Sequence, residues 1–231
     1  MGTMISFNRP DGKDVQGYLA SPAIGADNAP GIVVLQEWWG LNDQIKGVAD
    51  RLAAQGYRAL VPDLYRGKLG LDANEAEHLM NELDFADAAG QDVAGAVTHL
   101  KLTGSSKVGV TGFCMGGALT LLSAVFVSAM DAGVAWYGYP PLEFIDASKI
   151  KAPLMAHWAI EDGAFPIAKV DELEQKLTAA KVSYEFHRYQ AKHAFANEEA
   201  DSKGLALIKY DAALAEQAWK RTLAFFEKHL K

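Results

Sequence analysis

Lys107-Val108-Gly109-Val110-Thr111-Gly112-Phe113-Cys114-Met115-Gly116-Gly117 is the stretch whose reading decides the fold. It begins as a buried-looking strand and runs into Ala118-Leu119-Thr120-Leu121-Leu122-Ser123-Ala124, which has the composition of a buried helix. The chain must therefore turn sharply around Cys114. Glycines at 112, 116 and 117 suit that corner, because larger neighbours would clash where a strand folds directly into a helix. The only cysteine of the chain thus sits at the bend, with the first amides of the following helix pointing back at its sulfur. Anions and thiolates are favoured there.

Outward from this corner, apolar runs bounded by glycine and proline alternate with segments of helical periodicity, the pattern of a mostly parallel sheet flanked by helices. A hairpin is expected from residues 4–7 and 15–20 around Pro10-Asp11-Gly12, then a first core strand Gly31-Ile32-Val33-Val34-Leu35, a helix over 42–55 and a strand Arg58-Ala59-Leu60-Val61-Pro62. The acidic stretch 72–100 reads as one or two surface helices. Beyond the Cys114 corner come strands over 133–137 and 153–158, an amphipathic helix over 169–181, a strand over 183–189 and a closing helix over 205–230. Residues 1–231 are expected to form one domain of class α/β, with no internal repeat or low-complexity linker.

Composition narrows the function. With 231 residues, 50% of them hydrophobic and 22% charged, one large core can be buried without a second domain. A formal net charge of -7 with no cluster of lysine and arginine argues against a nucleic-acid partner. A lone cysteine allows no intrachain disulfide, and Met1-Gly2-Thr3-Met4-Ile5-Ser6 lacks the features of a secretory signal, so a cytoplasmic location is expected. The longest apolar stretch, 118–130, is too short to cross a bilayer and is broken by Thr120, Ser123 and Ser128, so no membrane association is expected. Nothing has the spacing of a metal site and no phosphate-cradling glycine loop follows the first core strand, so no cofactor is expected. The expected partner is a small molecule, bound by a monomer.

A cysteine is only a few per cent thiolate at neutral pH and needs a base. Among the six histidines, His193 lies in the loop Gln190-Ala191-Lys192-His193-Ala194-Phe195, just past a strand end, where sheets of this class place ligands. His78, His99, His187 and His229 fall on helix or strand surfaces by pattern, and His157 reads as a core histidine inside a strand. The third member should be a carboxylate at another strand end, fixing the imidazole tautomer. Asp162, directly before Gly163, suits that better than its neighbour Glu161. The order Cys114, Asp162, His193 is that of nucleophile, acid and base in α/β-hydrolases.

In that architecture the loop after the first core strand, Gln36-Glu37-Trp38-Trp39-Gly40, supplies one oxyanion-hole amide and the residue after the nucleophile the other, which designates the backbone amides of Trp38 and Met115. Glu37 follows four apolar residues and Gln36, and is either solvated at the rim or a partner for the resting thiol. Trp38, Trp39, Tyr137, Tyr139 and Phe165 are available to frame a substrate, and could equally be core.

Together these residues resemble the dienelactone hydrolase family, also called carboxymethylenebutenolidases, within the α/β-hydrolase fold. The resemblance spans nearly the whole chain and rests on Gln36-Glu37-Trp38-Trp39-Gly40, Val61-Pro62-Asp63-Leu64-Tyr65, Gly112-Phe113-Cys114-Met115-Gly116-Gly117, Asp162-Gly163 and His193-Ala194-Phe195-Ala196. It implies a three-layer sandwich, a triad of Cys114, Asp162 and His193, and a Glu37 that holds the resting thiol until substrate arrives. It also implies hydrolysis of an ester or lactone. Family members that open dienelactone grip its carboxylate with arginines, whereas the corresponding stretches here, Asp72-Ala73-Asn74-Glu75-Ala76-Glu77 and Ala194-Phe195-Ala196-Asn197-Glu198-Glu199, contain none and are acidic. An anionic substrate would meet repulsion there, so a neutral ester or lactone is expected. The other readings are a thiol-based redox or stress sensor, which would have no resolving cysteine in the chain, and a ligand-binding protein on the same fold.

Overall fold

A computed structural model describes residues 2–231. Strands β1 (Thr3–Asn8), β2 (Asp14–Ala20), β3 (Gly31–Leu35), β4 (Arg58–Pro62), β5 (Val108–Phe113), β6 (Ala132–Trp136), β7 (Leu154–Ala159) and β8 (Tyr184–Tyr189) form one sheet in the order β1-β2-β4-β3-β5-β6-β7-β8. β1 pairs with β2 and β2 with β4 antiparallel, and every later pairing is parallel. β3, β4, β5, β6 and β7 are buried along their whole length. Both faces of these strands are covered, which is why they read as continuous apolar runs instead of alternating ones.

Helices α1 (Asp43–Ala54) and α7 (Ala212–Leu230) pack with one set of core residues, and α4 (Ala94–Leu102), α5 (Met115–Phe126) and α6 (Ile167–Ala179) with the other. Asn42 starts α1 by accepting from the Ile45 amide at 3.1 Å, and Asp211 starts α7 by accepting from Leu214 at 3.0 Å. Such caps satisfy amides that a helix leaves free at its first turn. No described helix is long and apolar enough to cross a membrane.

Two expectations are corrected. The acidic stretch does carry a surface helix, α2 (Ala73–Glu82), but after α3 (Phe85–Asp87) the chain winds through a π-helical stretch Ala88–Val93 into α4, whose Val97 and Leu100 are fully buried. The reason is that Val93, Ala96, Val97 and Leu100 pack in the core, while Asp92, a buried acid in the wide turn, pairs with Arg66 at 2.9 Å and Arg9 at 3.1 Å. The closing helix begins at Ala212 and not at 205. Residues 205–211 are claimed by the backbone of the His193 loop: Lys209 N donates to His193 O at 3.1 Å and Asp211 N to Phe195 O at 3.0 Å.

The position of the site follows from the strand order. The chain adds β4 on one side of β3, then crosses to place β5 on the other. The carboxyl ends of β3 and β5 therefore open onto the crevice where such sheets bind ligands.

Candidate active site

β5 ends at Phe113 and α5 begins at Met115, which leaves Cys114 alone at the corner. Its φ of 56° and ψ of -117° lie outside the regions that side-chain-bearing residues prefer. The corner closes only because its neighbours are small. A Cβ on Gly112 would stand 2.2 Å from Gly116 O, and one on Gly116 would stand 2.4 Å from Leu35 O. Cys114 N donates to Trp136 O at 3.0 Å, while Cys114 O accepts from Gly117 N at 2.9 Å and Ala118 N at 3.2 Å, so the bend is fixed to both β6 and α5.

Asp162 lies in the turn after β7. Its Oδ1 accepts from the Ala164 and Phe165 amides, each at 2.8 Å, and its Oδ2 lies 2.7 Å from His193 Nδ1. Glu161, the rival carboxylate, points outward to Gln190. His193 is buried, its ring stacked on Phe165 with centroids 5.5 Å apart and set edge-on to Tyr137 at 5.1 Å. Burial alone would push the imidazole down, but the charge on Cys114 and the Asp162 hydrogen bond oppose it and hold the ring up at about 10. The Asp162 carboxylate thereby favours the charged imidazole.

Cys114, His193 and Glu37 line one cavity of about 450 Å³. Trp38, Trp39, Met80 and Phe165 supply much of its apolar wall. Trp38 sits in the tight turn after β3, closed by Gly40 N to Glu37 O at 3.3 Å, and meets Trp39 edge-on at 5.0 Å. Met115 heads α5, where first-turn amides lack intrahelical acceptors, and its sulfur accepts from Tyr65 Oη at 3.2 Å. Glu37 does not stand at the solvated rim. It is buried, and its two oxygens accept from Tyr137 Oη at 3.2 Å and Asn197 Nδ2 at 2.7 Å. Burial pushes its carboxyl above the ordinary range, against the lowering effect of His193, Asn197 and Tyr137.

Of the aromatics offered as a frame, Trp38, Trp39 and Phe165 line the cavity and Tyr137 and Tyr139 do not. Tyr137, at φ 37°, turns under the site, is fully buried and supports Glu37 and His193 from behind. Tyr139 donates to Pro166 O at 3.1 Å and packs edge-on against Phe165 at 5.1 Å. The acidic residues expected to repel an anion are also turned elsewhere. Glu198 pairs with Arg51, Glu199 with Lys203 at 3.3 Å, and Glu75 accepts from the Leu71 amide at 2.9 Å. The cavity lining is mostly apolar, with Glu37, Cys114 and His193 as its polar members, and contains no arginine.

Sequence reasoning missed Met80, residues 205–208 and Asn197. Met80 lies on a helix read as wholly surface, the lining segment was absorbed into a helix, and Asn197 has no local pattern to mark it. Its position four residues after His193 was the only available cue.

The strand order, the helix-opening corner at Cys114 and the loops after β7 and β8 define an α/β-hydrolase. The profile of the dienelactone hydrolase family matches residues 15–230. The chain is 35% identical to protein usf of Aquifex pyrophilus over 240 residues, covering 100% of each. It is 32% identical to a candidate carboxymethylenebutenolidase of Aquifex aeolicus, again over 100% of each. A candidate dienelactone hydrolase of Klebsiella pneumoniae superposes with a TM-score of 0.84 at 26% identity, covering 99% of this chain and 100% of that one. A dienelactone hydrolase-like promiscuous phosphotriesterase from metagenomic libraries shares the fold, with a TM-score of 0.88 at 24% identity over 100% and 99% of the two chains. The chain belongs to the dienelactone hydrolase family, and with it to the carboxylic ester hydrolases.

Proposed function

We propose that the protein hydrolyses an uncharged carboxylic ester or lactone through an acyl-enzyme on Cys114. The observation that carries this reading is the buried Asp162–His193 pair, 2.7 Å apart, opening onto the same cavity as the strained Cys114 corner. Cys114 Sγ attacks the carbonyl carbon as thiolate, and the backbone amides of Trp38 and Met115 take up the oxygen's developing charge. Loss of one such donor typically costs about 2.7–4 kcal/mol in barrier. The tetrahedral adduct then expels the alkoxide, to which protonated His193 gives its proton, leaving a thioester on Cys114. Water gives a proton to the now neutral imidazole and attacks the thioester, the C–S bond breaks, and the carboxylic acid is released. Asp162 keeps the Nδ1–H directed at its own carboxylate, so that Nε2 is the nitrogen that gives and takes the proton. In this reading Glu37, whose two oxygens each accept one bond, keeps a free lone pair with which to accept from the resting thiol.

Replacement of Cys114 by alanine, with p-nitrophenyl butyrate hydrolysis followed, tests the proposal. Turnover should fall by at least about 10³-fold, as it does when a nucleophile that works as a unit with its base is removed. Undiminished turnover would take the sulfur out of the mechanism.

A further inference from the structure

Leu205, Ala206, Leu207 and Ile208 are four consecutive residues on one side of the cavity, and none belongs to a helix or to the central sheet. An apolar run at the surface needs a reason. Leu207 is 60% exposed and Ala206 is exposed, while Leu205 and Ile208 are only half-buried, so the fold itself gains little from their hydrocarbon. The segment is nevertheless firmly tied. Ile208 bridges to His193, Lys192 Nζ donates to Ala206 O at 3.0 Å, and Tyr210 N donates to Asp201 Oδ1 at 3.1 Å. The run starts after Gly204, whose φ of 67° permits the reversal that leads into it. At its far side Leu207 overhangs the Asp162 turn, since a Cβ on Gly163 would stand 3.0 Å from Leu207 Cδ2.

A strap of this kind spans from the loop of the base to the loop of the acid and presents hydrocarbon to the cavity and to water. Water alone does not reward that arrangement. Trp38, Trp39, Met80 and Phe165 line the same cavity, so a chain entering it would meet hydrocarbon from these side chains as well as from the strap.

We infer that residues 205–208 select the hydrocarbon portion of the substrate. The inference rests on the ester-hydrolase reading above and narrows it to uncharged esters carrying an alkyl or aryl group of several carbons, with Ala206 and Leu207 as specificity-determining residues. One methylene in an apolar pocket is worth about a tenfold or greater preference.

Two readouts test it. Methyl hexanoate and hexyl acetate are each compared with methyl acetate by titrating the released acid, which covers chains on either side of the ester. In parallel, protection of Cys114 from iodoacetamide is measured with 2-butanone, 2-hexanone and 2-octanone; because Cys114 is the chain's only cysteine, alkylation reports directly on cavity occupancy. The wild-type protein should prefer the longer chain in at least one ester series and be protected best by the longer ketones. Leu207→Ala should weaken both preferences about tenfold, and Ala206→Phe, which fills the cavity, should reverse them. Both residues line the cavity at an exposed edge and neither belongs to the core, so neither change threatens the fold. If the wild type hydrolyses no ester yet the ketones protect and the variants shift that protection, the ester reading fails and the selecting wall stands. No chain-length dependence in the wild type, or the same dependence in all three proteins, overturns the wall.

Discussion

Asp162 divides its carboxylate between its own turn and His193: Oδ1 is held by the amides of Ala164 and Phe165 at 2.8 Å each, and Oδ2 faces His193 Nδ1 at 2.7 Å. The acid is therefore oriented by backbone before it orients anything else. Asp162→Asn keeps an oxygen for the two amides but sets an NH2 group against Nδ1, which selects the wrong imidazole tautomer. Ester turnover should fall on the order of 10³–10⁴-fold while the unfolding midpoint in urea moves little. A variant with near-normal turnover would remove Asp162 from the machinery.

His193 should titrate differently once the sulfur is gone. Burial lowers its pKa, and Cys114, then Asp162, raise it to about 10. In Cys114→Ala the lowering effect of burial loses its main opponent, so the midpoint should fall. Nuclear magnetic resonance titration of the ring carbons reads this directly, and an unchanged midpoint would mean that the two groups are not electrically coupled. The same shift has a stability consequence. A raised folded-state pKa contributes stability that is complete below about 6.5 and is lost as pH rises from there through about 10.

The contact between Asn197 Nδ2 and Glu37 Oε2, 2.7 Å long and buried, joins residues far apart in the chain. Asn197→Leu removes the donor and leaves a buried carboxyl oxygen short of a partner. The expected cost is about 1–3 kcal/mol of unfolding free energy, measured by urea denaturation. A Glu37 that simply rotates into water would show no such loss.

Sheet order and the sharp strand-to-helix corner at Cys114 were legible because their signals are largely local. A short β-branched run such as Gly31-Ile32-Val33-Val34-Leu35, bounded by turn residues, reads as a strand buried on both faces, and Gly112 is required by Gly116 O within the corner, although Gly116 itself is crowded by Leu35 O of the neighbouring β3. What could not be read is set by distant partners. Alanine and leucine over 205–208 fit a helix until the His193 backbone binds Lys209 N, and that pairing spans 16 residues. Tyr137 looked available to a substrate because its strand ends at the site, yet the left-handed turn there sends the ring beneath His193. Met80 carried the pattern of a solvated helix, and only the packing of α2 against the mouth brings it into the wall.

His157 reads as a core histidine, and its surroundings agree. It is fully buried, with Nδ1 at 2.9 Å from Tyr189 Oη and Nε2 at 2.9 Å from Thr222 Oγ1. The ring of His187 stacks on it at 5.6 Å, and Arg221 reaches Tyr189 Oη at 3.0 Å. Burial, with His187 and Arg221 adding to it, pushes its pKa well below 6.5. The folded chain keeps this ring neutral while the unfolded chain protonates it. Its contribution to stability is present above about pH 6.5 and declines as pH falls below that value, by up to about 1.4 kcal/mol per pH unit. His157→Gln should flatten this part of the stability profile between pH 6.5 and the folded-state titration, as followed by urea unfolding at stepped pH. An equally steep profile in the variant would assign the acid sensitivity to other groups.

The covalent step is tested most directly by quenching the wild-type protein in acid within milliseconds of mixing with excess p-nitrophenyl acetate and weighing its proteolytic fragments. The fragment holding Cys114 should carry one acetyl group as a thioester, with a matching burst of p-nitrophenol. Steady release of p-nitrophenol with Cys114 unmodified, or with the acetyl group on another side chain, would contradict the account.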